Sequence, residues 1–170
     1  VRDFNLNTAD NPEWLTPPEI PQALGAFDLD PCSPICRPWD TAKKHYTIED
    51  NGLTQEWFGR VWLNPPYGRE TFKWCEKLAH HGSGIALIFA RTETRGFYRA
   101  VWNRADTVFF FRGRIRFYHY TSEEGWIQQS SANAPSCLVS YSAKDTEAIT
   151  NSGLEGVLVK VVGVGINELP

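Results

Sequence analysis

The run Gly84-Ile85-Ala86-Leu87-Ile88-Phe89-Ala90 carries no polar side chain. A strand that apolar is buried on both faces, which requires a sheet with helices packed on each side. Thr107-Val108-Phe109-Phe110-Phe111 repeats the pattern, and residues 59–63, ending Val61-Trp62-Leu63, form a third buried strand. Between these strands, Glu70 to His81 offers Phe72, Trp74, Cys75 and Leu78 to a core as an amphipathic helix, and Arg95 to Arg104 reads as a second helix. Phe27-Asp28-Leu29-Asp30, stopped by Pro31, reads as a short strand and residues 42–46 as a weak one. In residues 11–24, Thr16 reads as a helix N-cap, with Pro17 first in the helix and Glu19 as capping-box partner. Pro21 keeps that helix short or delays its start. Residues 115–120 and 136–141 read as an antiparallel terminal strand pair joined by a polar loop around Glu123-Glu124-Gly125, and residues 157–164 as a last strand or docking segment. The expectation is an α/β fold: a mostly parallel twisted sheet, helices on both faces, and an antiparallel terminal strand pair. Ligands of such sheets bind outside the carboxyl ends of the strands, where Asp30 and Asn64 fall.

A chain of 170 residues suits one domain, here expected over residues 1–170. No apolar stretch approaches a membrane span and the first residues show no export-signal pattern, so no membrane partner is expected. The four cysteines, Cys32, Cys36, Cys75 and Cys137, read as reduced thiols. Cys32, Cys36 and His45 lack a second pair at ligand spacing, so no metal is expected.

The net charge of −3 conceals a polarity. Residues 1–60 hold ten Asp and Glu against five Lys and Arg, whereas residues 91–116 hold seven Arg against Glu93 and Asp106. One reading is a solvated face balanced by an acidic half. The other is a polyanion surface, because every base there is arginine, which forks onto phosphates, with aromatics between.

Asn64-Pro65-Pro66-Tyr67 follows the strand that ends at Leu63. An asparagine side-chain oxygen accepts one proton of a planar amine. The Pro65 carbonyl, on a residue without an N–H, accepts the other, and Tyr67 offers a face for the ring. Two acceptors drawing on one amine localise its lone pair and make it a nucleophile toward a sulfonium methyl group. Asn-Pro-Pro is also a plausible turn.

With these residues the chain resembles the N6-adenine DNA methyltransferases, in particular the small Dam-like family of phages and prophages, over roughly residues 11–141. Thr16-Pro17-Pro18-Glu19-Ile20 looks like the family's first cofactor-contacting segment, and Phe27-Asp28-Leu29-Asp30-Pro31-Cys32 like its first-strand motif. Asn64-Pro65-Pro66-Tyr67 is its catalytic tetrapeptide unchanged. Residues 86–91 and 113–117 resemble later blocks. Most relatives carry glycines after the first acidic residue; here Pro31, Cys32, Ser33 and Pro34 follow Asp30.

The resemblance implies a Rossmann-like methyltransferase fold with no separate target-recognition domain, and S-adenosylmethionine as cofactor, released as S-adenosylhomocysteine. Thr16, Asp30, Pro31 and Cys32 would contact the cofactor. Asp50 is either the carboxylate on the ribose hydroxyls or a turn residue. The substrate implied is adenine flipped out of double-stranded DNA, held by Asn64, Pro65, Pro66 and Tyr67 and methylated in line without a general base. Arg91, Arg95, Arg112, Arg114 and Arg116 are candidate phosphate contacts. Phe117 or Tyr118 is a second stacking wall or core. No obligate protein partner is implied. The resemblance further implies a phage or prophage source, a bacterial cytoplasmic location and a role in restriction protection. Alternatives are cytosine N4 or protein glutamine as acceptor, and a nucleic-acid-binding domain that has lost its cofactor.

Overall fold

The computed structural model describes residues 14–121, 123–129 and 131–163. Residues 11–13 and 164, which belonged to two of the expected segments, lie outside them. A seven-stranded sheet runs in the order β10 (Gly156–Lys160), β6 (Thr107–Phe111), β9 (Ser136–Ser140), β5 (Gly84–Phe89), β4 (Val61–Leu63), β2 (Leu29–Asp30) and β3 (Lys44–His45). A small antiparallel sheet joins β1 (Trp14–Leu15), β7 (Tyr118–Thr121) and β8 (Gly125–Gln128).

The alternation of each buried strand divides the core into two layers. Val61, Leu63, Ala86, Ile88, Val108, Cys137 and Val139 pack on one face, with α2 (Thr71–His81), α3 (Arg95–Phe97) and the π-turn Tyr98–Trp102. Trp62, Ile85, Leu87, Phe109 and Leu138 pack on the other, with α1 (Glu19–Ala23) and α4 (Ala143–Thr150). The all-apolar runs are thus explained by helices on both sides.

Four expectations are corrected. The sheet is mixed rather than mostly parallel: β3, β2, β4 and β5 are mutually parallel neighbours, but β9 lies antiparallel between β5 and β6, and β10 antiparallel on β6. The expected terminal pair does not form, because β9 is buried at every residue and takes two neighbours in the main sheet. Half-buried β7 instead pairs with β8, made from the expected loop. Thr16 caps no helix: α1 begins at Glu19 after Pro18. Pro18 takes the cap position, so Thr16 lies two residues before it, and neither Pro17 nor Pro18 offers an N–H to its hydroxyl. The second expected helix is also shorter, ending its α-helical part at Phe97 before the π-turn.

Candidate active site

Strands β3, β2, β4, β5 and β6 all point the same way, so their carboxyl ends share one edge of the sheet. A cavity of about 490 Å³ opens there. Its walls come from Pro31–Pro34 after β2, Thr47, Ile48 and Asn51–Leu53 after β3, and Asn64–Tyr67 after β4, closed by Trp14, Glu70 and Trp74. A second cavity of about 180 Å³ is lined by Phe89 and Phe117 with Gln129 and Ser131–Asn133. Trp14 and Tyr67 belong to the walls of both.

Asn64 is held at three points. Its side-chain NH2 donates to the Trp14 carbonyl (3.1 Å), its Oδ1 accepts from the Tyr67 hydroxyl (3.3 Å), and its backbone carbonyl accepts from the Cys32 thiol (3.1 Å). This fixes which end of the amide is the acceptor, and Oδ1 keeps a second lone pair. Thr71 Oγ1 donates to the Pro66 carbonyl at 2.7 Å, whereas the Pro65 carbonyl accepts no hydrogen bond among the described residues. Tyr67 stacks one ring face on Phe89, with centroids 4.1 Å apart at 12°, and meets Phe117 edge-on at 6.3 Å. Burial pushes its hydroxyl above the ordinary range and keeps it a donor.

Asp30 stands behind the cavity wall. It is 3% exposed, accepting from the Thr41 hydroxyl on one oxygen and from the Cys32 backbone N–H (3.1 Å) on the other. Burial pushes its carboxyl up to about 6, against the lowering effect of those two donors. Pro31 and Cys32 do line the cavity. Burial, then the neighbouring Asp30 charge, raises the Cys32 thiol well above its usual range. Thr16 is fully buried with its hydroxyl unpartnered among the described residues. Asp50 turns its carboxylate back onto the Thr47 N–H (2.8 Å) and hydroxyl, as a turn residue does.

The arginines lie on the same edge. Arg91 and Arg95 follow β5, are exposed, and have no side-chain partner among the described residues. After β6, Arg112 pairs with Glu155 at 3.4 Å, while Arg114 and Arg116 donate to the Ala132 and Gln129 carbonyls, both at 3.2 Å. Phe117 lines the smaller cavity. Tyr118 lines neither and packs edge-on against Trp39 at 4.9 Å.

Several contributors escaped the sequence reading. Gly52 sits where a Cβ would lie 1.9 Å from the Pro31 carbonyl oxygen, and the Asn51-Gly52 turn dipeptide was its signal. Trp14, Phe89, Gln129 and Ser131–Asn133 carried none, since pairing of β1 with β7 and residues far apart in the chain bring them in. No group of three or more His, Cys, Asp or Glu able to hold a metal occurs among the described residues, and no helix among them is long and apolar enough to cross a membrane.

Fold and cavities define an α/β protein with its larger cavity open at the carboxyl edge of its co-directional strands. Residues 4–154 match the family model described as DNA N-6-adenine-methyltransferase (Dam). The chain belongs to that family, whose reaction is methylation of adenine in DNA at N6. No curated protein and no solved structure matches it.

Proposed function

We propose that this protein is an S-adenosylmethionine-dependent methyltransferase acting on N6 of an adenine flipped from double-stranded DNA, built as a single Rossmann-like methyltransferase domain. The observation that carries this reading is the position of Asn64-Pro65-Pro66-Tyr67 against the larger cavity, with Tyr67 also walling the aromatic slot beside it. The larger cavity fits the cofactor: its volume is that of an ordinary cofactor site, and Gly52 leaves room where a side chain would strike the Pro31 carbonyl. Pro31, Cys32 and the segment around Gly52 would hold S-adenosylmethionine, which supplies the methyl group when bound.

The chain's own residues do the rest. Asn64 Oδ1 and the Pro65 carbonyl each accept a proton of the target amine and orient its lone pair. Tyr67 supports Asn64 and presents its remaining ring face to the base, with Phe89 behind it and Phe117 at its edge. The smaller cavity, with Tyr67, Phe89 and Phe117 in its walls, would take the base beside the acceptors. Flipping costs about a few kcal/mol, offset by this stacking. Arg91, Arg95, Arg112, Arg114 and Arg116 would contact phosphates, using donors not committed to Glu155 or to backbone carbonyls. Residues 121–135 would read a short or relaxed sequence, in a phage-type enzyme protecting DNA from restriction in a bacterial cytoplasm.

The test is product identification. Labelled S-adenosylmethionine and unmethylated duplex DNA are incubated with wild type or Asn64→Ala, digested to nucleosides and resolved by mass spectrometry. N6-methyladenine from wild type, lost in the variant, is expected. N4-methylcytosine would keep the amine grip and replace the acceptor. No methylated nucleoside despite cofactor binding would overturn the proposal for DNA.

A further inference from the structure

Two of the walls of the larger cavity are joined by a hydrogen bond. Cys32, on the loop after β2, donates its thiol hydrogen to the Asn64 backbone carbonyl at 3.1 Å, and among the described residues no other hydrogen bond joins residues 31–34 to residues 64–67. Cys32 is braced from behind, its backbone N–H donating to Asp30 (3.1 Å) and Asp30 accepting from Thr41. The other end of the clasp is stiff as well. Pro65 and Pro66 restrict φ on the chain leaving Asn64, and the Asn64 amide is tied to Trp14 and Tyr67. Displacement of the Asn64 carbonyl therefore moves Oδ1 and the Pro65 carbonyl together.

Resting on the reading of this cavity as the cofactor site, we propose that the Cys32 thiol is a positioning group that couples cofactor occupancy to the grip of Asn64 and Pro65 on the target amine. A ligand seated against Pro31–Pro34 holds the loop, and the thiol hands that order to the tetrapeptide. By linkage the coupling is reciprocal: a base held at Asn64 tightens the cofactor by the same factor. One S–H···O hydrogen bond sets the scale at about two- to fivefold in affinity. A thiol that merely packed the wall would alter stability and leave the coupling alone.

The test measures binding of a duplex carrying mismatched adenines, which flip at low cost, with and without saturating S-adenosylhomocysteine. The full chain is used as wild type, Cys32→Ser and Cys32→Ala, with thermal melts to establish folding and calorimetry to establish cofactor-product binding. The expected result is DNA binding about two- to fivefold tighter with S-adenosylhomocysteine in wild type. The enhancement is partly kept by Cys32→Ser, which retains a donor on a shorter arm, and absent in Cys32→Ala. Equal enhancement in wild type and Cys32→Ala, or none in wild type that binds both ligands, would overturn the coupling alone. Failure of wild type to bind S-adenosylhomocysteine would overturn the cofactor reading and the coupling with it.

Discussion

At the scale of single residues the site depends on groups held by a few hydrogen bonds each. Tyr67 combines a ring stacked on Phe89 with a hydroxyl that orients Asn64. Tyr67→Phe keeps the ring and loses a bond of about 1 kcal/mol, so turnover is expected to fall about fivefold with DNA affinity nearly retained. Steady-state kinetics beside anisotropy would show it, and an equal loss in both would refute the division of roles. Asp30 makes a prediction of another kind. Its folded pKa of about 6 lies above the ordinary 3.8, so the folded chain holds this proton more tightly than the unfolded chain. The group's contribution to stability is complete below pH 3.8 and is lost as pH rises through 6, about 3 kcal/mol in all. Asp30→Asn removes that dependence while leaving a carbonyl for Cys32 and an amide for Thr41. Urea midpoints at pH 4, 5, 6 and 7 should show wild type losing stability relative to the variant as pH rises, and a difference that grows the other way would refute it.

At the scale of elements, the strands and helices with unbroken apolar or amphipathic patterns were legible in the sequence: β4, β5, β6 and α2 lie within a residue or two of their expected places. Their boundaries follow from local chemistry, as in α2, where Gly82 takes a left-handed φ of 78° and ends the helix. What failed was partner choice. Residues 118–121 and 136–140 both look like strands, and nothing local says that one belongs to a small sheet and the other to the core. Loops followed the same division. The turn at Asp50 was one of two readings the sequence offered, but the contact of Gly52 with the Pro31 carbonyl is tertiary. Gly52→Ala is expected to displace the loop after β2 and raise KM for S-adenosylmethionine about tenfold or more with a smaller change in kcat. An unchanged KM would separate that loop from the cofactor.

At the scale of the whole molecule, two features spread their effects widely. The buried pair of Arg60 with Asp145 (2.7 Å) joins β4 to α4, and Asp145 also accepts from the Gly84 N–H (2.8 Å) that starts β5. Asp145→Ala leaves the largely buried Arg60 uncompensated, and a loss of about 3–5 kcal/mol is expected in chemical denaturation. A loss under 1 kcal/mol would mean that water relieves the site. The second feature is charge polarity. Seven arginines in residues 91–116 follow or flank two co-directional strands, and five of them sit near the carboxyl edge with the tetrapeptide. Each arginine that meets a phosphate should contribute about 0.9 to the slope of log affinity against log salt, so removing Arg91 or Arg95 should flatten it by about that amount. Binding insensitive to salt would exclude this edge as the DNA surface.

The sequence by itself determined the features that need only neighbours along the chain. These are two-sided burial of the central strands, the amphipathic face of α2, and the place of the amide-proline-proline-tyrosine segment directly after a buried strand. Tertiary structure alone decided where β9 inserts, how Trp14 and Phe89 reach Tyr67, and that Asp30 braces the cavity from behind. The reason is the range of the interactions. Hydrophobic period and turn geometry act over a few residues, whereas strand pairing and the joining of Cys32 to Asn64 connect segments whose separation in sequence leaves no local trace.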